Sequence, residues 1–141
     1  MTLTPEQEGF LREHRFCVVT TLRKDGSPQA TPVYYVYEDG KLHISVTKDR
    51  KKTLNVQRDP RVAVCVLSEG PPLDYVQVMG RATITEDDLV ERSRRIWSTF
   101  RSPLPDDFPQ VLADQKRVVM VVTPERATSR LRAPGAPAAQ R

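Results

Sequence analysis

Apolar and polar residues alternate along this chain in short blocks, and the period of the alternation assigns most of the elements. Residues 16–23, FCVVTTLR, are β-branched and apolar and predict a strand. The turn Lys24-Asp25-Gly26-Ser27 follows, with Asp-Gly as its core signal. Residues 28–38, PQATPVYYVYE, predict a second strand, in which Pro32 marks an edge or a bulge. After Glu38-Asp39-Gly40 the segment KLHISVT keeps a strict period of two. Leu42, Ile44 and Val46 face one way, Lys41, His43, Ser45 and Thr47 the other, so one face belongs to a core and the other is solvated or holds a ligand. Further strands are predicted at 61–67 (RVAVCVL), at 73–85 (LDYVQVMGRATIT, with Gly80 as a bulge or bend) and at 117–123 (RVVMVVT).

Helices fill the gaps. Thr4-Pro5-Glu6-Gln7 is a helix start: Thr4 caps, Pro5 suits the first helical position, and Gln7 completes a capping box. A second helix is expected over 49–58 with Asp49 as its cap, and a third from Glu86 to about Phe100 capped by Thr85. A short helical piece is expected near 111–113. Hairpin turns this tight forbid the crossovers that parallel strands need, so the sheet is mainly antiparallel. Long strands carrying Gly and Pro irregularities point to a closed barrel, which removes sheet edges. The expected fold is mainly β with flanking helices: one domain over residues 1–126, and a disordered Ala/Pro/Arg-rich tail over 127–141.

Composition narrows the function. The net charge is +4, but residues 48–61 alone hold six cations against Asp49 and Asp59. A positive field focused in this way favours a small anionic ligand over nucleic acid, which needs basic charge spread more widely and interleaved with aromatic residues. No apolar run approaches the roughly 20 residues of a membrane span, and MTLTPEQEGF has no basic or apolar leader character, so a cytoplasmic location is expected. Cys17 and Cys65 both fall in apolar runs and are expected as reduced core thiols; His14 and His43 share no ligand spacing with them, so no metal site is expected.

The chemistry concentrates in residues 45–60, SVTKDRKKTLNVQRDP. Strand hydroxyls at Ser45 and Thr47, cations at Lys48, Arg50, Lys51 and Lys52, and a helix N-terminus crowd into one short piece of chain, which is the chemistry of a phosphate pocket. Ser45-Val46-Thr47-Lys48 also matches the S-x-x-K pattern of serine acylases. That chemistry sets the serine at a helix start, whereas Ser45 lies mid-strand. Trp97 and Phe100, three apart on one helix, are expected in core or dimer packing.

TTLRKDGSPQATPVYY (20–35), the run from Ser45 to Pro60, and Val78-Met79-Gly80-Arg81-Ala82 together resemble the pyridoxamine 5′-phosphate oxidase-like superfamily of split β-barrel oxidoreductases. Its small actinobacterial coenzyme F420-dependent branch is the nearest in pattern. The resemblance covers about residues 8–124. It implies an antiparallel barrel of about six strands, a homodimer, and a cofactor in the groove between subunits. By position, Arg50, Lys52 and Thr53 would hold the cofactor phosphate. Ser45, Val46 and Thr47 would line one wall, and Pro32, Val33 and Tyr34 would contact the ring. Tyr75 and Gln77 would reach it, acting from the partner subunit. The cation surplus of Lys48, Arg50, Lys51, Lys52 and Arg58 exceeds one phosphomonoester and favours F420, with its acidic tail, over FMN; no histidine suits haem. The implied activity is hydride transfer from reduced deazaflavin to a small electrophilic, conjugated molecule, with no catalytic side chain assigned. The alternatives are an FMN-dependent oxidoreductase of the same type and a protein that binds F420 without turnover.

Overall fold

A computed structural model describes residues 3–132. Six strands close into an antiparallel barrel in the order β1-β2-β3-β6-β5-β4: β1 (Phe16–Leu22), β2 (Pro28–Glu38), β3 (Lys41–Thr47), β4 (Arg61–Leu67), β5 (Tyr75–Thr85) and β6 (Arg117–Arg130). Four helices flank it: α1 (Pro5–Glu13), α2 (Lys51–Arg58), α3 (Leu89–Trp97) and α4 (Phe108–Asp114). The mainly β, barrel expectation holds in full.

Two apolar clusters explain the strand sequences. Leu42, Ile44, Val46, Val62, Val64, Val66, Val76 and Val78 point into the barrel, where Tyr35 joins them and α1 and α2 contribute Leu11 and Val56. A second cluster packs α3 and α4, through Ile96, Trp97, Phe108 and Leu112, onto the outside of β6 at Val119 and Val121. The run RVVMVV of β6 is therefore continuous because both its faces are covered: Val118, Met120 and Val122 face the barrel interior.

Several elements differ from expectation. The final strand does not stop at 123: Ala127–Arg130 pair with Tyr75–Val78, so these residues belong to the sheet rather than to a disordered tail. Residues 133–141 lie outside the described residues. α2 begins after Arg50, which has no capping side-chain bond, and Asp49 sits in the preceding turn. α3 starts at Leu89, behind Asp88 in a left-handed conformation (φ 52°), while the Thr85 hydroxyl accepts from the Asp87 N–H in the turn before it. The capping box at Thr4 and Gln7 is present as expected. Gly80 marks a register shift between β5 and β6, and a Cβ there would lie 2.0 Å from the Thr123 carbonyl oxygen. Cys17 is buried and Cys65 half-buried, and both are free thiols; Cys65 alternates to the outer side of β4, away from the core. Burial pushes both thiol pKa values up.

Candidate functional site

β2 changes partner halfway along. Pro28–Tyr34 pair with β1, whereas Tyr35–Glu38 pair with β3. Beyond Ile44, β3 keeps β6 on one side and, among the described residues, has no strand partner on the other. Pro32, Val33 and Tyr34 thus stand across a gap from Ser45, Val46 and Thr47, and this gap splits the barrel. Proline chemistry fits the split. The Tyr35 N–H donates to Arg15 O on the β1 side, so by strand alternation the backbone groups of Tyr34 and Pro32 face the gap. Pro32 has no N–H with which to close it.

A cavity of about 490 Å³ opens at the gap. The end of α3 supplies its apolar wall. The Trp97 indole N–H donates to the Ser45 hydroxyl at 3.2 Å, and the Trp97 ring meets Phe108 edge-on. Phe100 stacks on Tyr34 with ring centroids 4.1 Å apart and planes 17° from parallel. Both these rings stay exposed, at 38% and 42%. The outer face of β3 is therefore neither solvated nor simply open: His43 is buried, while Ser45 and Thr47 line the cavity.

The opposite wall is cationic. Arg50 and Lys52, at the start of α2, meet Arg117, the first residue of β6, which pairs with Thr47. No carboxylate lies within ion-pair distance of any of the three among the described residues. Burial, then Arg50 and Arg117, lower the Lys52 pKa from the ordinary lysine value; burial, then Arg50, lower that of Arg117. The Arg117 guanidinium is held over the Trp97 ring, 5.4 Å from its centroid, and its Nε donates to Gln115 at 2.9 Å. The hydroxyl of Thr47 is buried without a hydrogen-bond partner among the described residues. The N–H groups of Lys51 and Lys52, the first two of α2, have no intrahelical acceptor among the described residues, and the Arg50 side chain does not cap them. Three crowded like charges, an orphaned hydroxyl and an open helix end share one need, and a phosphate or similar anion meets it. The donor set fits the phosphate of a flavin-type cofactor on this ground.

Of the residues named from the sequence, Pro32, Val33, Tyr34, Ser45, Val46, Thr47, Arg50 and Lys52 all line this cavity. Thr53 does not. It is fully buried, and its hydroxyl donates to Thr47 O at 2.6 Å, bracing helix to strand. Tyr75 and Gln77 lie on β5, opposite Leu67 and Cys65 of β4, and are not among the residues lining it. Lys48 pairs with Glu86 at 3.3 Å, and Lys51 and Arg58 line a different cleft. Sequence reasoning missed Arg117 and Gln115, which follow Lys52 by 65 and 63 residues, and took Trp97 and Phe100 only as packing. The Lys116-Arg117 pair opening an apolar strand was the available signal for Arg117.

An antiparallel barrel split at one seam, with an anion site at the open end of that seam, defines the class of flavin-type split-barrel proteins. The family profile described as pyridoxamine 5′-phosphate oxidase matches residues 3–130, and the chain belongs to that oxidoreductase family. An F420H(2)-dependent biliverdin reductase of Mycobacterium tuberculosis is 30% identical over 129 residues, covering 88% of this chain and 85% of the relative. Among solved structures, a conserved hypothetical protein from Mycobacterium tuberculosis superposes with a TM-score of 0.77 at 26% identity, covering 92% of this chain and 84% of the other. A protein described as an F420 reductase superposes with a TM-score of 0.74 at 25% identity, covering 89% and 98%.

Proposed function

We propose that this protein is a homodimeric oxidoreductase that binds coenzyme F420 in the seam between β2 and β3 and directs its hydride to a small conjugated acceptor. The observation that carries this reading is the convergence of Arg50, Lys52, Arg117 and the unpartnered Thr47 hydroxyl at the phosphate end of the seam. The F420H(2)-dependent relative supports the deazaflavin over FMN. Bound in its reduced form, the deazaflavin supplies a hydride, the hard chemistry of the reaction. The chain's own residues bind, orient and exclude water. The cations fix the phosphate; the exposed backbone edge of Tyr34 offers an N–H and a carbonyl along the seam; Ile96, Trp97 and Phe100 keep one side apolar.

In this reading Tyr75 and Gln77 act from a second copy of the chain. They sit on the outer side of β5, beside Ala63, Cys65 and Leu67 of β4. That side is half-buried or exposed in the single chain, and a subunit packed on it would carry both residues toward its partner's seam.

Fluorescence titration with F420 and FMN side by side tests the cofactor. Saturable F420 binding tighter than that of FMN is expected, followed by oxidation of reduced F420 on adding a conjugated acceptor, with biliverdin as the first to try. If neither cofactor binds below roughly 100 μM, the redox reading is overturned.

A further inference from the structure

Trp97 is the chain's only tryptophan, and it closes α3 against the seam. Apolar packing anchors it. The side chain lies in the cluster with Ile96, Leu112, Val119 and Val121, meets Phe108 of α4 edge-on, and leaves the residue 5% exposed. Packing accounts for neither its N–H nor the flat face of its ring. The N–H donates to the Ser45 hydroxyl, and the face carries the Arg117 guanidinium. Ser45 pairs with Val119 and Thr47 with Arg117, so the two contacts lie two residues apart along β3. That step is about 7 Å. One fixed indole thus touches both the wall of the seam and its phosphate end.

Each contact constrains what its partner can do. An indole N–H only donates, so the Ser45 oxygen accepts from it, and the hydroxyl proton is left for an acceptor in the cavity. On the other side, the ring face holds the Arg117 guanidinium flat while Gln115 accepts from its Nε. The terminal nitrogens of the fork are then the part left to grip an oxyanion. A planar guanidinium stacked on an aromatic face is organised before the anion arrives and loses less freedom when it binds. Burial and the neighbouring Arg50 oppose the Arg117 charge, and the negative face of the indole offsets part of that cost.

We propose that Trp97 is a positioning residue that sets both ends of the seam at once, aiming the Ser45 hydroxyl at the bound ring system and holding Arg117 for the phosphate. The proposal rests on the seam being the cofactor site. Two titrations of the full chain test it. The first compares F420 with the same deazaflavin lacking its phosphate arm. Trp97→Phe removes the N–H but keeps an aromatic face, and is expected to weaken both ligands about 5-fold while their affinity ratio stays within about 2-fold. In a Ser45→Ala background the same substitution is expected to cost no more than about 2-fold, because the bond it removes is already gone. Trp97→Leu removes the face as well and is expected to lower the ratio at least about 5-fold. A ratio unchanged in Trp97→Leu, or a loss from Trp97→Phe as large without Ser45 as with it, overturns the proposal; the second is what a residue serving only the core would give. The second titration needs no change at Trp97 and no cofactor. Inorganic pyrophosphate is expected to shift the tryptophan emission of the wild type saturably, through Arg117, and to leave that of Arg117→Ala unshifted. Emission that does not respond in the wild type, or responds equally in Arg117→Ala, overturns the proposal. Failure of the wild type to bind F420 or FMN overturns the functional reading, whereas these other outcomes overturn only the role of Trp97.

Discussion

A single hydroxyl distinguishes a built anion site from a cation-lined surface. Thr47 is buried beside Arg50, Lys52 and Arg117 with no partner for its Oγ1. Leaving such a group unpaired costs free energy, on the order of 1–3 kcal/mol, so Thr47→Val is expected to leave stability unchanged or raised in urea denaturation while weakening cofactor binding. Lys52→Ala removes a charge-assisted contact and is expected to weaken cofactor binding by about 1–3 kcal/mol; equal dissociation constants for variant and wild type would remove Lys52 from the site. Because burial and two neighbouring cations hold the Lys52 pKa down, Lys52 loses its proton at a lower pH than an ordinary lysine. Cofactor affinity should therefore fall on the alkaline side earlier than lysine's usual range allows. Lys52→Arg, which stays charged, should flatten that limb in a titration repeated across pH. The sign for stability is opposite: the folded chain holds fewer protons than the unfolded one between the two pKa values, so folding is favoured as pH rises through that window.

At the scale of elements, the docking of α3 on β3 has its own pH dependence. His43 is buried between them. Its Nε2 lies 3.2 Å from Glu38 O, its Nδ1 is unpartnered, and Arg92 and Arg95 of α3 repel its charged form. Burial is the first cause that lowers its pKa from 6.5; the hydrogen bond to Glu38 O and the Glu38 charge oppose it, and the two arginines add to it. Unfolded chain then binds the proton more readily, so stability is expected to fall as pH drops below about 6.5. His43→Gln should reduce that slope when melting temperature is followed from pH 7.5 to 5; an unchanged slope would clear His43 of the effect. The β5 bulge is less forgiving. A Cβ at Gly80 would press on backbone atoms of Thr123, which cannot move aside as a flexible side chain would. Gly80→Ala is expected to destabilise by about 2–3 kcal/mol, read as a shift of the urea midpoint.

At the scale of the molecule, the walls of the seam come from β2, β3, α2, α3 and the start of β6. Pro32–Tyr34, Ser45–Thr47 and α3 enclose the cavity, but Tyr75 and Gln77 are not part of it. If the homodimer reading is right, sedimentation should give twice the 16.0 kDa chain mass, and Gln77→Arg on the outer face of β5 should shift it toward monomer and lower cofactor affinity together. A monomer with full affinity would refute the reading. Among the described residues no helix is long and apolar enough to cross a membrane.

Local physics made much of this legible in advance. Period-two alternation, Asp-Gly turns and the Thr4–Gln7 box are short-range signals, and β2, β3 and β4 have the bounds that the alternation predicts. The contiguous residues 45–52 likewise announced an anion site, because hydroxyls and cations adjacent in sequence cannot be far apart in space. Helix starts were less legible: at α2 and α3 the expected side-chain caps compete with turn geometry, and the turns won. The end of β6 was hidden because Ala127–Arg130 have little strand propensity and are held by pairing with Tyr75–Val78. What only the tertiary structure decided is which cations act together. Sequence placed Lys48 through Arg58 in one cluster, but a helix turns successive side chains by about 100°. Closure of the barrel then joined Arg50 and Lys52 to Arg117, while α2 turned Lys51 and Arg58 toward the hairpin.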